Sequence, residues 1–275
     1  MIIFLFQCEL QAQSAVEYGS NSSAGHYVKV NDITLYYEEY GKGHPLLLMH
    51  GNGGSIAAFS KLIPLLSKKY RIIAIDSRAQ GRSEDSDKDL TFEQMASDVN
   101  ELLKSLHLDS VYAFGWSDGG IIGLQIAYSF PGKISRLAVS GANFRADSTA
   151  LAYEFFDTTK IIWFNNLPDT EKERVRKHSR FPKRAGSIYN KLILLDLNYP
   201  NFTEEQLNKI TVPTLVIAGD HDIIKLSHTV ELFHSLPHSQ LFIVPNCSHS
   251  VPIECAELLS RELIRFFASP NIHTH

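Results

Sequence analysis

Cysteine is scarce in this chain of 275 residues, which has three in all and no Cys-x-x-Cys pair. A disulfide framework is typical of an even number of cysteines, and a zinc site needs clustered Cys and His residues. Cys8, Cys247 and Cys255 indicate neither arrangement. We therefore expect the stability to come from an apolar core, and we expect no metal and no cofactor.

Long apolar runs and an excess of basic charge are also missing. No apolar run reaches the roughly 18 residues of a membrane-spanning helix, so integral membrane association is not expected. The net charge of -4 gives no electrostatic reason to expect nucleic acid as a partner. The hydrophobic fraction of 44% is ordinary for a globular protein. These properties favour a small-molecule substrate for a monomer or homodimer.

The N-terminal segment has some features of a secretory signal and lacks others. Residues 1–6 are apolar and small residues follow at positions 12 and 14, but no basic residue precedes the apolar run. The segment is interpreted either as the end of a longer signal or as a frayed tail, and export is favoured over a cytoplasmic location. Positions 19–25 are rich in Gly, Ser and Asn, so residues 1–25 are predicted to form a disordered lead-in or signal remnant.

Strand-like runs alternate with helical patterns along most of the chain. Residues 27–40 alternate in polarity around Asn31-Asp32, which predicts an antiparallel hairpin. Continuous apolar runs, typical of strands buried on both faces, occur at 45–49, 70–76, 111–116, 135–140, 214–218 and 241–244. Helical periodicity between these runs predicts βαβ units in a mostly parallel, doubly wound α/β sheet.

The alternation stops between residues 143 and 210, where amphipathic segments are separated by prolines and no strand is indicated. We predict a helical cap over 143–210, inserted between core segments at 26–142 and 211–275. The cap has more large apolar residues than one buried stripe needs. These residues either pack the cap against the core or line a substrate pocket. The candidate substrate-binding residues are Trp116, Tyr153, Phe156 and Trp163.

The central motif is Gly115-Trp116-Ser117-Asp118-Gly119, between a strand-like run and the helix-like residues 121–127. In G-x-S-x-G the serine occupies a strained strand-to-helix turn, and the glycines leave room for the crowded backbone. The alternative is a Gly/Ser loop ahead of a helix, since so short a pattern is weak by itself. The strand before the motif and the helix after it favour Ser117 as a nucleophile.

A serine nucleophile needs a histidine base, and that histidine needs a carboxylate to fix its tautomer and stabilise its cation. Gly219-Asp220-His221-Asp222 follows a later strand, and His249 follows the last strand. Two carboxylates therefore compete for the third role. Asp220 is interpreted as the loop-capping residue, because aspartate favours turns.

In the order of these motifs, the chain from about residue 33 to 267 resembles the α/β-hydrolase superfamily. Its H-G-x-G, D-x-R-x-x-G-x-S, G-x-S-x-G and G-x-x-D motifs read here as His50–Gly53, Asp76–Ser83, Gly115–Gly119 and Gly219–Asp222. Ala79 stands where the family usually has glycine. Aspartate nucleophiles in this superfamily accompany haloalkane or epoxide chemistry, a branch that Ser117 excludes.

The resemblance implies a role for each matched residue. Ser117 is the expected nucleophile, His249 the base and Asp222 the acid. The expected oxyanion hole consists of the backbone N–H groups of Asn52 and Asp118. The Asp118 side chain is interpreted as a charge at a helix N-terminus in preference to a partner for a substrate ammonium group.

The elbow and the later Gly141-Ala142-Asn143 resemble the valacyclovir-hydrolase-like (biphenyl-hydrolase-like) esterases, and more distantly the meta-cleavage-product hydrolases. The leading hypothesis is a serine hydrolase that cleaves small to medium carboxylic esters through an acyl-enzyme. The alternatives are a C–C bond hydrolase of the meta-cleavage type and a weakly hydrolytic ligand-binding receptor.

Overall fold

The computed structural model describes residues 16–152, 155 and 157–269, which fold around one eight-stranded sheet. Its strands are β1 (Gly25–Val30), β2 (Ile33–Tyr40), β3 (His44–Met49), β4 (Tyr70–Ile75), β5 (Val111–Trp116), β6 (Ile134–Ser140), β7 (Thr214–His221) and β8 (Ser239–Ser248). The α-helices are α1 (Ile63–Leu66), α2 (Phe92–Ser105), α3 (Asp118–Ser129), α4 (Asp169–His178), α5 (Ala185–Asn198), α6 (Glu204–Asn208), α7 (Leu226–Ser235), α8 (Val251–Glu254) and α9 (Ala256–Ala268). Short 3-10 helices lie at Ile56–Phe59, Thr158–Lys160 and Phe164–Asn166.

The strand order is β1-β2-β4-β3-β5-β6-β7-β8. β1 and β2 form an antiparallel hairpin in which Val30 pairs with Ile33, and β2 runs antiparallel to β4. The remaining neighbours are all parallel. The predicted hairpin and the predicted mostly parallel α/β sheet are therefore confirmed.

Helices cover both faces of the sheet. Leu47 and Met49 of β3 belong to the core cluster that contains the buried residues of α2 and α3. Leu46 and Leu48 belong to the second cluster, with the buried residues of α1 and α9. Since successive side chains of a strand point to opposite faces, this division is what a doubly wound sheet requires.

The carboxyl ends of the central strands carry the loops that matter for function. The loop after β3 holds residues 50–54, the turn between β5 and α3 holds Ser117, and the loops after β7 and β8 hold Asp222 and His249. In an open parallel sheet these ends form the edge at which ligands bind. The topology therefore places the predicted motifs at one edge of the sheet.

The described residues between β6 and β7 form α4, α5, α6 and two 3-10 helices, with one isolated bridge between Arg145 and Asn201. Helix α5 is tied to the core by Lys191, whose ammonium group lies 3.2 Å from Asp85. The Asp85 side chain is 1% exposed, so this ion pair is largely shielded from water. The boundaries of the cap, at residues 143 and 210, stay a prediction.

The predicted lead-in falls partly outside the described residues, which begin at residue 16. From there, turns pack against the sheet, and the backbone N–H groups of Gly19 and Asn21 each donate to the Glu38 carboxylate at 2.9 Å. The hydroxyls of Tyr36 and Tyr40 donate to the same carboxylate. This buried acid is thus well supplied with donors, and it anchors the segment ahead of β1. Within the described ranges no helix is long and apolar enough to cross a membrane.

Candidate active site

Ser117 lies at the turn between β5 and α3 with φ 54° and ψ -121°. A positive φ is strained for a residue with a side chain and persists only where the surroundings enforce it. The surroundings here are tight, because a Cβ atom on Gly115 would lie 2.1 Å from the Gly119 carbonyl oxygen, and one on Gly119 2.0 Å from that of Met49. The strained strand-to-helix turn predicted from the motif is present.

The structure brings Ser117, His249 and Asp222 together. Nε2 of His249 lies 3.1 Å from the Ser117 hydroxyl oxygen, and Nδ1 lies 2.7 Å from Oδ1 of Asp222. An ionised Asp222 can only accept, so Nδ1 carries a proton and Nε2 has a free lone pair. The exposed fractions of the His249 and Asp222 side chains are 8% and 2%. A shielded base is thus poised to take the serine proton.

The two competing carboxylates have different contacts. Asp222 faces His249 and also accepts from the backbone N–H of Ile224 at 2.9 Å. Asp220 instead accepts from the backbone N–H of Cys247 at 3.2 Å. Backbone hydrogen bonds from Asn246 and Cys247 lower the pKa of Asp220. Asp220 therefore braces the start of the histidine loop, as expected for a loop-capping aspartate, and only Asp222 can orient the imidazole.

The loop that carries His249 is fixed by two contacts that the sequence did not reveal. The Trp116 indole N–H donates to the backbone carbonyl of His249 at 2.8 Å, and Trp116 is buried in the core. Gly141 has φ 61°, and a Cβ atom there would lie 2.7 Å from Cε1 of His249. Trp116 was predicted to bind substrate, which stays a prediction, and its hydrogen bond to the His249 carbonyl gives it a place behind the histidine.

A disulfide joins Cys247 to Cys255 across the same loop, eight positions apart in the chain. No pairing was predicted for the three cysteines, and for Cys247 and Cys255 that expectation is wrong. Counting cysteines missed it because a single short bridge needs only two residues at a suitable separation. Cys8 lies outside the described residues. The bridge encloses His249 and restricts the loop in which it lies.

The loop after β3 lies against the serine. A Cβ atom on Gly51 would lie 3.0 Å from the Ser117 Cβ atom, so the two backbones are in close contact. His50 is fully buried, with Nε2 accepting from the Ser77 N–H and Nδ1 donating to the Gly51 carbonyl at 2.7 Å. Burial lowers the pKa of His50 to about 4, which keeps it neutral. His50 therefore holds the loop and is not a second base.

Two carboxyl groups meet at the Asn52 side chain. Nδ2 of Asn52 donates to Oδ1 of Asp196 at 2.9 Å, and the Asp118 carboxyl lies close enough to the same side chain to interact with it. Asp118 is 4% exposed, and among the described residues its Oδ2 atom has no hydrogen-bond partner. Burial raises the pKa of Asp118 to about 7. A largely protonated or half-ionised acid is a poor helix-terminal charge, so this burial weakens the interpretation that the sequence favoured.

The remaining predicted substrate-binding residues lie in the cap. Tyr153 and Phe156 are outside the described residues. Trp163 is half-buried and packs against a small cluster within the cap, which contains Ile161, Phe164, Tyr189 and Ile193. In the part of the chain that the structure describes, no group of three or more His, Cys, Asp or Glu side chains is arranged to hold a metal ion.

Comparison with known proteins gives consistent matches over the whole fold. A family model described as alpha/beta hydrolase fold matches residues 44–191, just over half of the chain. The chain is 28% identical to a mouse protein named serine hydrolase BPHL, over 92% of this chain and 89% of that protein.

Two other matches have different names. A 2-hydroxy-6-oxo-6-(2'-aminophenyl)hexa-2,4-dienoic acid hydrolase from Metapseudomonas resinovorans is 22% identical, over 94% of this chain and 96% of that protein. The crystal structure of a candidate lipase, lip1 from Acinetobacter baumannii AYE, superposes with a TM-score of 0.75 at 25% identity, over 88% of this chain and 90% of that chain.

Proposed function

The chain belongs to the alpha/beta hydrolase fold family, and we propose that it is a serine hydrolase that cleaves small to medium carboxylic esters through an acyl-enzyme. The family predicted from the motifs is confirmed, as is the resemblance to the biphenyl-hydrolase-like group. The observation that carries the proposal is the hydrogen-bonded series from Ser117 through His249 to Asp222, with distances of 3.1 and 2.7 Å.

In the proposed reaction Ser117 attacks the ester carbonyl carbon while His249 takes the hydroxyl proton. The carbonyl oxygen becomes an oxyanion, which the backbone N–H groups of Asn52 and Asp118 stabilise. His249 then protonates the departing alcohol, and the C–O bond of the ester breaks. A water molecule, deprotonated by His249, attacks the acyl-serine. The bond from the acyl carbon to the Ser117 oxygen then breaks as His249 returns the proton to that oxygen, and the acid is released. Asp222 stabilises the imidazolium that forms in both halves.

We propose that the cap over residues 143–210 roofs the acyl pocket. Helix α5 supports this, since its Asp196 reaches the Asn52 side chain beside the elbow. Such a pocket selects acyl chains by buried methylene groups, worth about 0.8 kcal/mol each until the pocket is full. We therefore expect short and medium acyl chains to be preferred over long ones.

The first test is turnover of p-nitrophenyl acetate, butyrate, octanoate and palmitate. The expected result is the highest kcat/KM at acetate to octanoate and a steep fall at palmitate. Absence of turnover across the series would contradict ester hydrolysis and favour the ligand-binding receptor. Turnover of a vinylogous diketone in place of the esters would favour the C–C bond hydrolase, for which the 22% identical dienoic acid hydrolase is the supporting relative.

The environment of Asp118 supports a preference for amino-acyl esters. Among the described residues its buried Oδ2 atom has no hydrogen-bond partner. A substrate ammonium group there would supply that partner and, as a nearby cation, would favour the ionised carboxylate. A charge-assisted hydrogen bond of this kind is worth roughly 1.5–3 kcal/mol. We expect kcat/KM for an amino-acyl ester to exceed that of its N-acetyl analogue by roughly tenfold or more.

The matched comparison is the same pair of esters with the Asp118→Asn variant. Asparagine keeps the size and the backbone N–H but removes the charge, so the preference should disappear while N-acetyl ester turnover is largely retained. Equal ratios in the parent and the variant would show that Asp118 does not recognise the ammonium group.

A further inference from the structure

The side chain of Asn52 is held by the cap. Its Nδ2 atom donates to Oδ1 of Asp196 at 2.9 Å and to the backbone carbonyl of Leu192 at 3.3 Å. Both acceptors lie in α5, 140 or more positions away in the chain. On the core side, the Asp118 carboxyl lies beside the same amide. Asn52 therefore links a helix of the cap to the loop after β3.

This link lies beside the nucleophile. Gly51 lies against the Ser117 side chain, where a Cβ atom on the glycine would be 3.0 Å from the Ser117 Cβ atom, and the far end of the loop is fixed by the Gly53 N–H, which donates to Oε1 of Gln80 at 2.6 Å. Between these two fixed points, the hydrogen bonds of the Asn52 side chain to α5 orient that residue. A change in its orientation also turns its backbone N–H, and oxyanion stabilisation depends strongly on the placement of such donors.

The charge environment makes the link stronger than an exposed contact. Asp196 is half-buried, and burial of its carboxyl together with the nearby Asp118 raises the pKa of Asp196 well above its usual value. Two neighbouring acids that are shielded from water hold fewer than two negative charges near neutral pH, so the pair can lie beside the Asn52 amide without a cation.

We propose that Asp196 is a positioning residue: through the Asn52 side chain it holds the oxyanion loop against the Ser117 elbow. The proposal rests on the proposed ester hydrolysis only for its catalytic readout. Under this proposal Asp196 controls the rate of the chemical step, although it lies in the cap and belongs to none of the sequence motifs. Substrate binding to the cap or elsewhere is not required for this effect.

The test compares Asp196→Ala and Asp196→Asn with the parent on p-nitrophenyl butyrate. Alanine removes the acceptor, so kcat should fall about tenfold or more while KM stays within about threefold, the pattern of a lost transition-state interaction. Asparagine keeps an acceptor oxygen at the same place and should restore most of kcat. An alanine variant with parental kcat, or one in which only KM rises, would overturn the proposal.

Lys191→Ala is the matched control within α5. Lys191 docks the helix through Asp85 and the carbonyls of Ser86 and Lys88, which lie in the loop ahead of α2 and not at Asn52. Its loss should leave kcat close to that of the parent. An equal loss of kcat in Lys191→Ala and Asp196→Ala would show that general docking of α5 matters, and the specific role of Asp196 would be refuted.

Asn52→Ala removes the same link from its other end and serves if Asp196→Ala does not fold. It should lower kcat to a similar degree, and adding Asp196→Ala to it should cost no more, because the two changes act on one interaction. Full additivity would contradict the proposal.

Amide hydrogen exchange of a peptide covering residues 50–54 gives a readout that does not depend on turnover. It should be faster in Asp196→Ala than in Asp196→Asn or Lys191→Ala. If the parent hydrolyses no ester, the proposed function fails, whereas the exchange result still decides whether Asp196 holds the loop. Unchanged exchange in Asp196→Ala would overturn the positioning role.

Discussion

Replacing Ser117 with alanine is expected to lower the kcat for p-nitrophenyl butyrate by roughly five orders of magnitude or more. The substitution removes the atom that forms the acyl bond, while the oxyanion donors and the pocket remain. A small residual rate above the uncatalysed reaction is therefore expected. The measurement is initial-rate kinetics, with the protein concentration determined by a method that does not depend on the active site.

Ser140→Ala is the control for this change. Ser140 is fully buried at the end of β6, beside the elbow, and within the described part of the chain its hydroxyl has no hydrogen-bond partner. Losing that hydroxyl should leave the activity near that of the parent. A Ser117→Ala variant within tenfold of the parent would remove Ser117 from the reaction.

The second large effect distinguishes the two aspartates of the loop after β7. Asp222→Asn should lower kcat/KM by about four orders of magnitude, because the amide cannot stabilise the imidazolium and allows the wrong tautomer. Asp220→Asn should cost little, since its oxygen can still accept from the Cys247 N–H, 3.2 Å away in the parent. Both variants replace one aspartate with asparagine, at sites two positions apart, so they differ only in the position of the change. If Asp220→Asn were the more damaged enzyme, the acid would have to be reassigned.

Local features of the sequence were sufficient for the fold and for the elbow. The polarity of residues 27–40 and the apolar runs that follow depend on strand and sheet geometry alone, and the structure has the strands where they predict them. The Gly115–Gly119 motif is equally local, because its strain arises from contacts within one turn and with β3. Features that depend only on residues close together in the chain could therefore be predicted from this one sequence.

Features that depend on contacts between distant parts of the chain could not be predicted. Asn52 and Asp196 are 144 positions apart, and neither the residue types nor any spacing connects them. The Trp116 contact with His249 spans 133 positions. The aromatic ring of Trp116 suggested a substrate contact. In the structure the ring is buried, and its N–H group makes a hydrogen bond within the protein.

Ala79 stands where the family motif usually has glycine, and its backbone conformation gives the physical reason for that preference. This alanine has φ 66°, in the left-handed region that glycine occupies without strain. The family's usual glycine at this position is thereby explained. The chain tolerates alanine there at a cost of about 1 kcal/mol.

The most direct measurement of the proposed chemistry is intact-protein mass spectrometry of the parent, acid-quenched during turnover of p-nitrophenyl butyrate, followed by peptide mapping. The acyl-enzyme mechanism predicts a fraction of the protein heavier by one butyryl group, with that group on Ser117 and absent from Ser117→Ala. Turnover in which the butyryl group lies on another residue and persists in Ser117→Ala would contradict the mechanism.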